Sequence, residues 1–398
     1  GNLMIPHIRE TCNAGFSKAR YESLVQSITN RFPDTLDFRV AETPAFISKD
    51  LKKEMLDACN YIIEFIHSES YIKETESSIP KEFRVTGDEG KPIFIVCDFG
   101  ICRDEAGRLT PKLIELQGFP TLFAYQMLLG ELMHSYAAVP EGFSDYLNGY
   151  DRSSYAQDLK EIILGGYRPE DVILMEIYPE KQKTRIDFAC TEEMTGIKTV
   201  CYTKVIEDGG CLFYEDGGKK KRIKRIFNRM IMDDLQRQKP RPSGFDLTKT
   251  YDVEWVQHPN WYYRISKNIL PFLDHDCIPP SYFLHEIKQA LPLEQYVLKP
   301  LYSFAGMGVV IDIRQEDLEQ ITDPENWILQ KKVSYAPAIM TPDEPAMAEV
   351  RIICIQKPGT DRPVPAHNLV RLSKDKLTGT RFNLNKDWVG GTIGYFET

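Results

Sequence analysis

Between Leu51 and His67, the apolar residues Met55, Leu56, Ala58, Cys59, Ile62, Ile63 and Ile66 recur at helical spacing, with Ser48 placed as an N-cap. That pattern predicts an amphipathic helix. Two compact apolar runs follow, Pro92 to Asp98 (PIFIVCD) and Leu113 to Gln117 (LIELQ), divided by the turn sequence Asp104-Glu105-Ala106-Gly107. They predict a hairpin of buried strands. Phe119 to Ala137 is strongly apolar, with Pro120 at a tolerated first-turn position and Pro140 and Gly142 past its end, and predicts a second helix. From Ser154 to Leu235 the pattern alternates: helix (SYAQDLKEIILGG), strand (DVILMEIYP), helix near Asp187 to Thr195, strand (KTVCYT), hairpin and helix (FNRMIMDDL). Such alternation predicts a small Rossmann-like lobe. Pro240, Pro242 and Gly244 mark a linker after it.

Gln295 to Ile311 (QYVLKPLYSFAGMGVVI) predicts a strand ending at Lys299-Pro300, a loop with Gly306 and Gly308, and a second strand. A lysine at a strand end supplies a fixed positive charge for phosphate oxygens, and glycines let loop amides approach them without side-chain clash. The spacing is neither that of a P-loop nor that of a dinucleotide fingerprint. Three further strands are predicted at Trp327 to Val333 (WILQKKV), Ala348 to Ile355 (AEVRIICI) and Ala366 to Leu372 (AHNLVRL), then a polar loop closed by glycines, Phe382 to Gly391 (FNLNKDWVGG).

Composition narrows the function classes. At 398 residues, 42% hydrophobic and 27% charged, the chain should fold throughout into two or three lobes. A net charge of −9 argues against general nucleic-acid binding. The local exception is Lys219, Lys220, Lys221, Arg222, Lys224 and Arg225 beside the turn Asp216-Gly217-Gly218, which reads as a solvated hairpin tip or an anion-binding strip. No signal sequence or membrane-length apolar window is apparent, so a cytoplasmic protein without membrane contact is expected. Gly1 in place of Met suggests that natural first residues are missing. Nine cysteines without CxxC spacing read as buried free thiols, and the seven histidines show no ligand spacing.

The order of these pieces resembles the ATP-grasp superfamily: a phosphate-loop lysine strand, a hinge strand, two arginine-bearing strands and an Asn-containing loop ending in Gly-Gly. HPNWYYRISKNILPFLDHDCIPPSYF, from His258 to Phe283, resembles the family's lead-in to that unit. The family's closing helix, Asp-ended strand and Glu-bearing strand stand instead near the start of this chain, as Leu51 to His67, IFIVCD and LIELQGFP. The sequence therefore looks circularly permuted, like the ATP-grasp half of glutathionylspermidine synthases. The resemblance implies an α/β fold of α+β lobes: a permuted metal-site lobe at 1–150, an inserted Rossmann-like pre-ATP-grasp lobe at 151–245, a nucleotide-binding lobe at 246–345 and the rest of the metal and phosphate lobe at 346–398.

It also implies residue roles. Asp98, Glu115 and Gln117 become Mg²⁺ ligands, as hard oxygen donors suit that ion. Glu115 and Gln117, two apart on a strand, share a face. If Asp98 lies about 4 Å from Glu115, their repulsion costs about 4 kcal/mol at an effective dielectric of about 20, so a cation is expected there. Lys267, Lys299, Gly306 and Gly308 would hold ATP phosphates, and the stretch Gln330, Lys331, Lys332, Val333 would offer backbone groups to adenine. Arg351 and Arg371 would neutralise the transferred phosphoryl group, with Asn383 and Asn385 orienting substrate or phosphate or serving turns. Gln117 stands where Asn is usual, and Lys332 lies near where an acidic residue meets the ribose. Arg225 and Arg229 resemble an arginine placed near substrate, or else belong to a solvated helix face. The implied activity is an ATP- and Mg²⁺-dependent carbon–nitrogen ligase that joins a small-molecule carboxylate to an amine through an acylphosphate. The alternatives are a phosphotransferase that forms no amide and a degenerate nucleotide-binding scaffold.

Overall fold

The computed structural model describes residues 4–301, 308–375, 383 and 385–398. The hairpin is formed by Phe94–Arg103 and Leu109–Gln117, and it lies at one edge of a five-stranded antiparallel sheet. Across that sheet the order continues through Met347–Gln356, Pro363–Ser373 and Gly390–Thr392. The helix Lys49–Ile66, capped by the Ser48 hydroxyl accepting from the Leu51 N–H, packs its apolar stripe beneath this sheet. Cys59 of the helix meets Cys97 and Cys354 of the sheet there, and burial pushes its thiol well above the usual range. Six of the nine cysteines are buried and all nine are free, as the sequence led us to expect.

The α/β lobe carries a parallel sheet in the order Glu254–Val256, Arg225–Asn228, Val172–Glu176, Lys198–Cys201, flanked by the helices Arg152–Leu164 and Arg185–Thr195. Two expectations change here. The stretch FNRMIMDDL is not all helix: Arg225–Asn228 is a strand, and the helix is only Met232–Arg237. Ile226 and Phe227 are buried between parallel neighbours, an environment that overrides local helical spacing. The strand Glu254–Val256 also joins this sheet from beyond the Pro240 to Gly244 linker.

The other change concerns the apolar stretch after Gln117, where the helix is Tyr125–Tyr136 and starts well after Pro120. Leu122 takes a left-handed φ of 64°, which interrupts helical geometry. The Ala124 and Tyr125 N–H groups are instead received by Asp187 Oδ1, at 3.0 and 2.8 Å. The cap comes from a distant helix.

A third, small antiparallel sheet has the order Ser281–Phe283, Trp327–Lys331, Tyr296–Pro300. The strand expected to follow the glycine loop is reduced to a bridge between Leu298 and Val310. In the basic hairpin, Lys220 pairs with Asp208 at 3.0 Å, Lys221 with Asp216 at 2.9 Å, and Arg222 with Asp252. These lysines and the arginine thus belong to a solvated, charge-balanced hairpin. No helix among the described residues is long and apolar enough to cross a membrane.

Candidate functional site

Strand register assembles the site. Asp98 lies opposite Glu115 on one side and Arg351 on the other, and Glu349 lies opposite Gly100 and Arg371. Because paired residues share a face, the charged groups converge on the side of the sheet away from the Lys49–Ile66 helix. Arg351 grips Asp98 with two parallel bonds, Nε to Oδ1 at 2.8 Å and Nη2 to Oδ2 at 3.0 Å. The cation expected between Asp98 and Glu115 is therefore supplied in part by the chain itself. Burial pulls the Arg351 pKa down, but Asp98, Glu115 and Glu349 more than offset it, so the guanidinium stays charged.

Glu349 was missed from the sequence. Burial raises its pKa, Asp98 adds to the rise, and Arg371 and Arg351 oppose it. Its signal was available: it stands two residues before Arg351 on one strand, hence on the same face. Gly100 gives this face room. A Cβ there would lie 2.7 Å from the Tyr335 ring and 3.2 Å from Ile114 Cδ1. We expect Gly100→Ala to lower stability by about 1–3 kcal/mol in urea denaturation. Tyr335→Ala in the same chain should relieve part of that loss, and strict additivity of the two would argue against the contact.

Two lysines from separate segments reach this cluster. Lys299 Nζ donates to Gln330 Oε1 at 2.7 Å. Burial pulls its pKa down, with Glu115 and Glu349 opposing. Lys267, at the start of the short helix Lys267–Phe272, is held down to about 8 by burial, with Glu115 opposing and Lys299 reinforcing. Asp98, Glu115 and Glu349 thus face Arg351, Arg371, Lys267 and Lys299, three carboxylates against four cations. The two lysines and Arg371 make this face suited to an anionic group.

Gly308 has a φ of 78° and packs against Pro300, while Gly306 lies outside the described residues. The Lys331 N–H donates to the Pro280 carbonyl at 2.9 Å and the Lys332 N–H to Gln295 at 2.8 Å. Those two amides are therefore engaged with neighbouring strands, and Val333 lies just past the strand end. Asn383 Oδ1 accepts from the Lys374 N–H at 2.9 Å and the Ser373 hydroxyl at 3.2 Å, fixing the end of the Pro363–Ser373 strand. Asn385 has a φ of 65°, a turn conformation that Asn tolerates.

Neither Arg225 nor Arg229 lies on a solvated helix face, and neither joins the charged cluster. Arg225 donates to the Ile163 and Ile162 carbonyls at 3.0 and 2.7 Å, closing the end of the Arg152–Leu164 helix, and pairs with Glu254 at 2.9 Å. Arg229 is buried against Asp187 among Phe119, Phe188 and Phe227.

The donor sets can be weighed against the implied groups. Among the described residues, Gln330 Nε2 is a buried donor with no acceptor, and it sits on the same side chain that holds Lys299. With two desolvated lysines nearby, this suits phosphate oxygens. For Mg²⁺, Glu115 and Gln117 offer oxygens on one face, with Gln117 Nε2 donating to Glu115 Oε1 at 3.3 Å. Asp98, expected beside them, has one lone pair on each oxygen taken by Arg351, which leaves its carboxylate partly neutralised before any metal arrives. Among the described residues, no group of three or more His, Cys, Asp or Glu side chains is arranged to hold a metal.

These lobes form a mixed α+β fold. Among solved structures, the chain is similar to a glutathione synthetase-like effector (GSS30) from Globodera pallida in its apo form, with a TM-score of 0.59 and 12% identity over 94% of this chain and 96% of that one. No family model and no curated protein matches the chain.

Proposed function

We propose that the chain is an ATP- and Mg²⁺-dependent ligase joining a small-molecule carboxylate to an amine, on a circularly permuted ATP-grasp-like fold. The observation that carries this reading is the pair of desolvated lysines, Lys267 and Lys299, that both face Glu115, with the Gln330 amide, unsatisfied among the described residues, on the side chain that holds Lys299. Permutation is supported by a central sheet whose 94–117 hairpin is completed by strands from 347–392. The same reading keeps the four-lobe division, with the α/β lobe extended to take in Glu254–Val256.

ATP, when bound, supplies the phosphoryl group that activates the carboxylate, and Mg²⁺ neutralises phosphate charge. Lys299 and Lys267 would hold phosphate oxygens, and Gln330 Nε2 would donate to an acceptor on the nucleotide. Glu115 and Gln117 would hold the metal. Arg371 would meet charge that develops on the transferred group, while Arg351 keeps Asp98 neutralised. A second reading, nucleotide binding without turnover, is favoured by the Asp98–Arg351 pair, which partly neutralises a carboxylate a metal would use.

Calorimetric titration of a non-hydrolysable ATP analogue with and without Mg²⁺ tests the site. We expect tighter binding with Mg²⁺ and loss of that enhancement in Glu115→Ala. ADP release in the presence of carboxylate and amine pools then separates ligase from non-turnover binder. No binding at millimolar nucleotide would sink both.

Lys267 makes affinity depend on pH. Its charge disappears as pH rises through about 8, so phosphate affinity should fall above that value. Stability moves oppositely: between about 8 and the ordinary 10.5 the unfolded chain binds more protons than the folded one, so folding is favoured as pH rises. Lys267→Arg, which stays charged, should flatten the affinity profile. An unchanged profile in that variant would assign the dependence elsewhere.

A further inference from the structure

Beside the charged face lies a small cavity of about 40 Å³, lined among others by Glu115, Gln117, Asp233, Tyr262, Ser266 and Lys267. Asp233 reaches it from the Met232–Arg237 helix of the α/β lobe, so two lobes contribute to its wall. The Tyr263 phenol donates to Asp233 Oδ1 at 2.5 Å and aims the carboxylate. Among the described residues Asp233 forms no ion pair, unlike its neighbour Asp234, which lies 4.0 Å from Arg237.

The lining carries two carboxylates, Glu115 and Asp233, against one cation, Lys267. Asp233 is the carboxylate of this lining that the phosphate-facing cluster does not contain. Tyr262 lines the cavity with both carboxylates: burial raises its phenol most, with Asp233 and Glu115 adding, so it remains neutral. The volume takes a group the size of a water or an ammonium. Carboxylate oxygens, a side-chain amide oxygen, a hydroxyl and aromatic rings are the partners an ammonium accepts.

We infer that this cavity holds the ammonium group of the acceptor amine, with Asp233 as the anchor that selects a cationic substrate. The inference rests on the ligase reading for the word acceptor. The cavity shares Glu115, Gln117 and Lys267 with the phosphate-facing cluster, so an amine anchored there waits beside the site of carboxylate activation. Asp233 escaped the sequence reading because its stretch looked like one uninterrupted helix, with nothing to tie it to Glu115.

Saturation-transfer NMR with methylammonium chloride as the probe tests this directly. Transfer is expected in the wild type, retained in Asp233→Glu and Asp234→Asn, and weakened at least tenfold in Asp233→Asn, an isosteric change that leaves Tyr263 an acceptor. Equal transfer in the wild type and Asp233→Asn overturns the inference, as does no transfer in a wild type that binds the ATP analogue. Asp233-dependent transfer in a protein that binds no nucleotide would leave the cation site standing while the ligase reading fails.

Discussion

Lys299→Ala is expected to weaken binding of a non-hydrolysable ATP analogue by about 10- to 100-fold, since a hydrogen bond to a charged group is worth about 1.5–3 kcal/mol. Lys299 comes from the strand Tyr296–Pro300 with its ammonium fixed by Gln330 Oε1, so little order has to be imposed when phosphate arrives. The cost of holding that charge out of water is already met in the folded protein, as its lowered pKa shows. Removing it also leaves Gln330 Oε1 without its donor. Calorimetry on Lys299→Ala beside Lys219→Ala, a change at the hairpin tip, provides the contrast. Affinities within twofold of each other would remove Lys299 from the nucleotide site.

The largest expected loss of stability lies in the α/β lobe. Arg229 and Asp187 are 2% and 1% exposed, and removing one partner of such a pair costs about 3–5 kcal/mol because a lone charge stays buried. Arg229→Ala should therefore shift the urea midpoint strongly. Asp187 also receives two N–H groups at the start of the Tyr125–Tyr136 helix, so Asp187→Ala should lose that cap as well. Arg229→Met with Asp187→Asn leaves no lone charge and keeps an acceptor for the cap, and should recover much of the loss. If the double variant is no more stable than Arg229→Ala, buried charge is not the source of the effect.

Much of this was readable from the chain because the relevant periods are local. The helix Lys49–Ile66 and the hairpin ending at Gln117 follow from spacings within a few residues, and so does the shared face of Glu115 and Gln117. Arg351 and Arg371 stand on the strands expected of them. What could not be read depends on partners distant in sequence. The late start of the Tyr125–Tyr136 helix is set by Asp187, and the strand Arg225–Asn228 by its parallel neighbours. The pairing of Asp98 with Arg351 spans 253 residues, and nothing near Asp98 announces that its oxygens are already engaged.

That span also orders events during synthesis. The hairpin of residues 94–117 leaves the ribosome long before Met347–Gln356 exists to pair with it, so Phe94–Arg103 spends that interval as a bare, apolar edge. The nascent chain must shield this edge, and the α/β lobe is exposed with it, since Val172, Leu174, Phe227 and Val256 share a core with Phe94, Val96, Ile353 and Ile355. A chain that stops short of residue 347 leaves Phe94–Arg103 permanently bare and should be captured by holdase chaperones or aggregate.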